Sequence, residues 1–137
     1  PLCEAEGVGV IPWSPLARGR LARPLGEETV RSKTDGFGKV IYPEDEADNA
    51  TIHALEDVAS KRGVAMASVA LAWQFTRPTM TAPIIGATKP HHIEAAVAAV
   101  ELELEPDEIS ALEAHYRPKA PTGMGMPLPP MDKVTVR

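Results

Sequence analysis

Aromatic residues make up only 4% of this chain of 137, and there is a single cysteine, Cys3. A lone thiol excludes an internal disulfide and fits a reducing compartment, so cytoplasm is the expected location. Long apolar runs are also missing. The longest uncharged one, Val64 to Trp73, falls far short of the roughly 20 residues that a membrane helix needs. No basic-then-apolar leader opens the chain, so nothing points to secretion. The formal net charge of −5 argues against nucleic acid as a partner, since general binding to it requires a basic face. Glu4, Glu6 and Asp48 show no metal-ligand spacing, Cys3 has no partner, and no metal site is expected.

What is present describes a soluble globular domain: 44% hydrophobic and 24% charged residues, interrupted by 14 prolines. The first residues, Pro1 to Gly7, look like the last turn of a helix closed by glycine. That helix has no beginning here, which implies a piece of something longer. Next, Val8-Gly9-Val10-Ile11-Pro12-Trp13 reads as a short buried strand that breaks at Ser14-Pro15 into a small-residue loop carrying Arg18, Arg20 and Arg23. Backbone N–H groups and guanidinium forks in such a loop can close together on an anion. A strand followed by a solvated basic turn has the same composition, and alone it is weak evidence.

Residues 24–47 are broken by Pro24, Gly26, Gly36, Gly38 and Pro43 and read as one irregular connection, either a binding loop or disordered. From Asp48 a helix is expected, capped by Asp48 or Asn49, with Ile52, Leu55, Val58 and Ala59 inward and a stop at Gly63. His53 falls among its polar positions. A second helix, about Ala67 to Phe75, places Met66, Val69, Ala70 and Trp73 inward and ends before Pro78. Thr81 to Ile85 forms another short apolar strand, running into Gly86-Ala87-Thr88-Lys89. A helix from Pro90 to about Val100 follows, with Ile93, Val97 and Val100 inward. Pro106-Asp107-Glu108 opens a last helix with Ile109, Leu112 and Tyr116 as its buried candidates. The tail beyond Pro118, rich in proline and glycine, is either a loop packed over a site or disordered.

Two strands separated by helices make a strand–crossover–strand unit, which is parallel and right-handed. The fold class is therefore α/β, and the loops after both strands leave the sheet on one edge. At the second loop, Lys89 falls on the cap of the following helix. Lysine offers no acceptor to the free N–H groups of the first turn, so those donors, the positive end of the helix dipole, the Thr88 hydroxyl and the Lys89 ammonium are all open to an anion. Two such loops on one edge favour a phosphate-bearing ligand.

The stretch Val10 to Leu21, then Ala82-Pro83-Ile84-Ile85-Gly86-Ala87-Thr88-Lys89-Pro90, then Leu102-Glu103-Leu104 before Asp107 to Leu112, resembles the C-terminal part of an aldo-keto reductase. The resemblance covers residues 1–123 as a C-terminal barrel segment and leaves 124–137 as a tail. It implies a partial (β/α)8 TIM barrel, comprising strands seven and eight with their helices and the closing helix, in a fold that often binds phosphate after those two strands. It also implies NADP(H) as cofactor and a small-molecule carbonyl as substrate. By position, Trp13 would stack on the nicotinamide, Ser14, Pro15, Leu16 and the backbone near Gly19 would line the pyrophosphate, and Arg20 would be a further cofactor-binding residue. Gly86, Ala87, Thr88, Lys89 and His92 would approach the adenosine 2′-phosphate. His92 and Ala96 depart from the arginine or glutamine and the asparagine that many members carry there. The family's catalytic aspartate, tyrosine, lysine and histidine lie in the first half of its barrel, so no catalytic residue carries over to this chain. The other reading is a non-catalytic barrel piece acting through protein contacts. In either case two strands alone leave barrel edges open, and self-association through those edges is expected.

Overall fold

A computed structural model describes residues 1–27, 29, 33–43 and 45–118. The tail at 124–137 lies outside the described residues, as does the end of the 1–123 segment. In order, the helices are α1 (Leu2–Ala5), a 3-10 segment (Ala17–Ala22), α2 (Gly36–Ile41), α3 (Glu46–Arg62), α4 (Met66–Phe75), α5 (Pro90–Ala98) and α6 (Pro106–Glu113).

The core grows from the apolar stripe of α3. Ile52, Leu55, Val58 and Ala59 are buried on one face, as their spacing requires. The cap is Asp45 and not Asp48 or Asn49: Asp45 is still extended (φ −145°, ψ 131°), and its carboxylate accepts from the Ala47 and Asp48 N–H groups at 2.9 and 3.1 Å. Asp48 and Asn49 are already helical. At the other end Gly63 takes the left-handed conformation (φ 65°, ψ 29°) that closes the helix. His53 is exposed beside Glu56.

α4 is buried on nearly every side, including Met66, Val69, Ala70, Leu71 and Ala72, because it is packed against α3, the 3-10 segment and α5 at once. Leu112 of α6 completes the main cluster, with Leu16, Leu21, Trp73, Leu102 and Leu104 against it. Each large aliphatic side chain so buried contributes about 1.5–3 kcal/mol. α6 is anchored electrostatically as well. Glu105 and Glu108 form a reciprocal capping box. Arg62 donates through Nε and Nη2 to the two oxygens of Glu108 at 2.6 and 2.5 Å. The Trp73 indole N–H donates to Glu113 at 2.8 Å, and Arg77, stacked 5.1 Å over the same ring, reaches that carboxylate at 2.9 Å. Tyr116 is exposed and not buried, since α6 ends at Glu113, before it.

The two extended segments pair in parallel, as the crossover topology predicts, but only at Val10 with Met80 and Trp13 with Ile84. Val10 N–H donates to the Thr79 carbonyl at 2.8 Å, Thr81 N–H to Val10 at 3.0 Å, and Ile84 N–H to Pro12 at 2.8 Å. Pro12 and Pro83 face this seam without a donor, and the second segment has one residue more between the bridges than the first. A continuous two-strand ladder is thereby reduced to two bridges.

Two further expectations are corrected. Residues 24–47 are not wholly irregular, because α2 forms within them: Asp35 caps it, its Oδ1 accepting from Gly38 N–H at 2.9 Å. α5 ends at Ala98 and not at Val100; Ile93 and Val97 of the helix and Val100 of the turn after it line one side, but they are 54, 64 and 59% exposed. With Phe75, Pro83 and Ile85 they line an open apolar groove of about 390 Å³. Their period fixes the face; nothing among the described residues covers it. No helix of the described residues is long and apolar enough to cross a membrane.

Candidate functional site

The bridge between Trp13 and Ile84 sits immediately before both candidate loops. Parallel pairing at that point places Ser14 onward and Gly86 onward at one end of the seam, so the structure brings the two predicted half-sites to one edge.

The first half-site is a strained loop. Ser14, Ala17 and Arg18 have φ of 52, 47 and 56°, a left-handed conformation for three residues that are not glycine, and Gly19 follows at 95°. Each non-glycine residue so held costs roughly 1–2 kcal/mol, and strain of this kind persists only where the surroundings over-determine it. Here Ala17 N–H donates to the Ser14 carbonyl at 2.9 Å, Gly19 N–H to Leu16 at 2.8 Å and Leu21 N–H to Leu16 at 3.3 Å. Arg18 N–H meets the Ser14 hydroxyl at 3.3 Å. Leu16 and Leu21 pack on the core, and Gln74 of α4 donates through Nε2 to the Pro15 carbonyl at 3.0 Å.

Those contacts correct the simple picture of an open anion cradle. The N–H groups of Ala17, Arg18, Gly19 and Leu21 are turned onto the loop's own oxygens. The Arg18 fork is closed by Asp35, with Nε to Oδ2 at 2.6 Å and Nη2 to Oδ1 at 3.0 Å, and its guanidinium lies 5.4 Å from the Phe37 ring centre. That hydrogen bond chiefly raises the Arg18 pKa above its already high ordinary value. Arg20 donates to the Tyr42 carbonyl at 3.3 Å and approaches Asp48 at 4.0 Å, while Arg23 donates to Thr29 at 3.3 Å. The three arginines therefore tie Thr29, Asp35, Tyr42 and Asp48 to the loop. Trp13, at its entrance, is 61% exposed and offers an open indole face.

At the second loop the expected backbone geometry is present. Lys89 is the cap of α5, extended at φ −141° and ψ 148°, with no side-chain hydrogen bond to the first turn, and Pro90 stands at the first helical position. Gly86, Ala87, Thr88, Lys89 and His92 are all exposed. Thr88 N–H points at His92 Nδ1 at 3.4 Å, and His91 and His92 pack edge to face at 4.5 Å. Ser68 of α4 donates to the Ala95 carbonyl at 3.3 Å and ties α5 back to the core.

Asp35 and Gln74 were not evident as site residues from sequence. Asp35 acts on an arginine 17 positions earlier, which no local pattern encodes. Gln74 had a visible signal, a polar residue within the apolar run of α4.

At one end of the parallel seam the structure thus sets a strained loop behind the exposed Trp13 beside a helix start with no side-chain cap. The family model for the aldo/keto reductase family matches residues 1–117. The chain belongs to the aldo/keto reductase family. It is 44% identical over 123 residues to versiconal hemiacetal acetate reductase of Aspergillus parasiticus, covering 88% of this chain and 36% of that protein. An aldo-keto reductase of Fusarium vanettenii is 42% identical over 119 residues, covering 85% of this chain and 32% of its own length. The crystal structure of a thermostable aldo-keto reductase bound to the inhibitor epalrestat superposes with a TM-score of 0.56 at 22% identity, over 84% of this chain and 32% of that one. The chain thus spans about a third of the length of the relatives it matches.

Proposed function

We propose that this chain is the cofactor-binding edge of an NADP(H)-dependent oxidoreductase acting on aldehydes or ketones, corresponding to strands seven and eight of a (β/α)8 barrel with their helices and the closing helix. The observation that carries the proposal is the parallel bridge at Trp13 and Ile84, which sets both loops at one end of the seam. NADPH fits the groups present: the open Trp13 face suits the nicotinamide, the preset Ser14–Arg20 loop suits the pyrophosphate, and Lys89, Thr88 and His92 around an uncapped helix start suit the 2′-phosphate. When bound, the cofactor supplies the hydride that reduces a carbonyl. This chain's own part is to bind and orient. Trp13 fixes the ring at the mouth of the seam, Ser14 to Arg20 hold the middle, and Gly86 to Lys89 hold the far phosphate. We assign no catalytic residue to it.

The test is a titration of the full polypeptide with NADPH, followed by tryptophan fluorescence. Trp13 emission is expected to be quenched while Trp73, enclosed by Glu113 and Arg77, changes little, and Trp13→Phe removes the signal. Lys89→Ala is expected to weaken NADPH more than NADH. No quenching in wild type, together with no effect of Arg20→Ala or Lys89→Ala, would overturn the reading.

The exposed face of Ile93, Val97 and Val100 favours a second reading, a non-catalytic module that acts through protein contacts or self-association. Coding sequence upstream of Pro1 discriminates: an in-frame continuation with the family's aspartate, tyrosine, lysine and histidine supports the enzyme.

A further inference from the structure

Two of the residues buried in α4 are polar, Ser68 and Gln74, and each reaches a different half of the proposed cofactor site. Gln74 is 7% exposed and donates to the Pro15 carbonyl, 59 positions away in sequence, inside the strained loop. Ser68 is 8% exposed and donates to the Ala95 carbonyl of α5, the helix whose first turn forms the other half. Between them lie only apolar residues, Val69 to Trp73.

Gln74 also carries a cost. Its Oε1 is buried without a hydrogen-bond partner. An unmatched buried acceptor is destabilising, and an apolar side chain of similar volume in its place is close to neutral or favourable for folding. Packing alone therefore gives no reason for glutamine at this position of α4. What the amide does, and a leucine could not, is hold the one carbonyl between Ser14 and Leu16. It does so where the backbone enters its left-handed stretch, with Ser14 at φ 52° and Ala17 at 47°. Among the described residues the loop backbone's other hydrogen bonds run between its own residues, and the arginine side chains reach only the segment that follows; the Gln74 bond refers the backbone to the rigid core.

We propose that α4 is the spacer of the dinucleotide site, with Gln74 as the positioning residue of the pyrophosphate loop and Ser68 that of the 2′-phosphate helix, neither touching the cofactor. This rests on the reading of the edge as an NADP(H) site. α4 is held among α3, the 3-10 segment and α5. The two bonds convert that rigidity into a fixed separation between the loops, and a ligand spanning both then meets a site already at its length.

The test uses Gln74→Leu and Gln74→Met in the full polypeptide, with three readouts: thermal unfolding, NADPH affinity, and hydrogen exchange at Ala17, Arg18 and Gly19. The expected result is an unchanged or raised Tm, NADPH binding about fivefold weaker, and faster exchange at those three amides without faster exchange in α3. Ser68→Ala is expected to weaken NADPH by a similar factor while the same amides keep their wild-type exchange. A Tm that falls in parallel with affinity makes Gln74 a packing residue and overturns the proposal, as does wild-type exchange and affinity in both Gln74 variants. If wild type itself fails to bind NADPH, the cofactor reading falls. The exchange data then decide the positioning role on their own, with unchanged loop exchange refuting it.

Discussion

Gly9 and Thr81 face each other across the parallel seam at a separation that leaves no room for a methyl group. A Cβ built on Gly9 would stand 2.1 Å from Thr81 Oγ1 and 3.3 Å from Thr81 Cβ. In Gly9→Ala the first contact can be relieved by turning Thr81 to another rotamer, at about 0.5–1.5 kcal/mol. The second contact cannot be relieved that way, because it is to the Cβ itself. Overpacking of this kind costs typically 1–3 kcal/mol, so a loss of about 1–2 kcal/mol is expected. Thr81→Ala removes the hydroxyl and leaves only the tighter-than-usual Cβ contact. A double-mutant cycle by urea denaturation of Gly9→Ala, Thr81→Ala and the pair should therefore show a coupling of about 1 kcal/mol, with the double variant more stable than the two single losses predict. Strict additivity would mean that the segments do not approach at this point, and the seam that aligns both loops would have to be redrawn.

Two other perturbations separate charge from capping. Asp35 closes the Arg18 fork and also caps α2, and asparagine caps about as well as aspartate while alanine does not. By denaturation, Asp35→Ala should be about 1 kcal/mol less stable than Asp35→Asn, and equal losses would show that the cap is not what holds α2. The Glu108 carboxyl is held below its usual range, first by its hydrogen bond with Arg62, with the Glu105 N–H assisting and burial opposing. A depressed folded-state pKa means that its stabilisation is complete above the ordinary carboxylate range and is lost as pH falls through the lowered value. The stability gap between wild type and Glu108→Gln should then be largest near neutral pH and close in acid, and a gap independent of pH would refute the assignment.

The sequence carried what depends on local period and punctuation. The stripe Ile52, Leu55, Val58 and Ala59, the left-handed stop at Gly63, the proline starts of α5 and α6, and the uncapped Lys89 all follow from neighbouring residues, and all stand in the structure. Contacts with partners distant in sequence were not legible. α2 contains two glycines in six residues, a composition that reads as loop, and it forms under an Asp35 cap that is itself fixed by Arg18. Among Asp45, Asp48 and Asn49 the capping residue is decided by where the chain leaves its extended path, which composition does not show. Ile93, Val97 and Val100 were right as a face and wrong as a buried one, since period reports which residues align and says nothing of what lies opposite.

The strain in the first loop joins these observations. Three non-glycine residues at positive φ, at roughly 1–2 kcal/mol each, are a cost that an unconstrained surface turn would shed by relaxing. This loop is denied that route from both sides. On the inner side, Leu16 and Leu21 are committed to the core and Pro15 is tied to Gln74. On the outer side, the Arg18, Arg20 and Arg23 side chains are fastened to Asp35, Tyr42 and Thr29. The arginines that on composition looked like ligands for an anion thus act first as fasteners of the segment that follows. Holding a loop in its final shape before any ligand arrives removes the ordering cost from the binding step. On the proposed NADP(H) reading, affinity at the edge is expected to depend on the Gln74 and Asp35 contacts that hold the loop as well as on its basic residues.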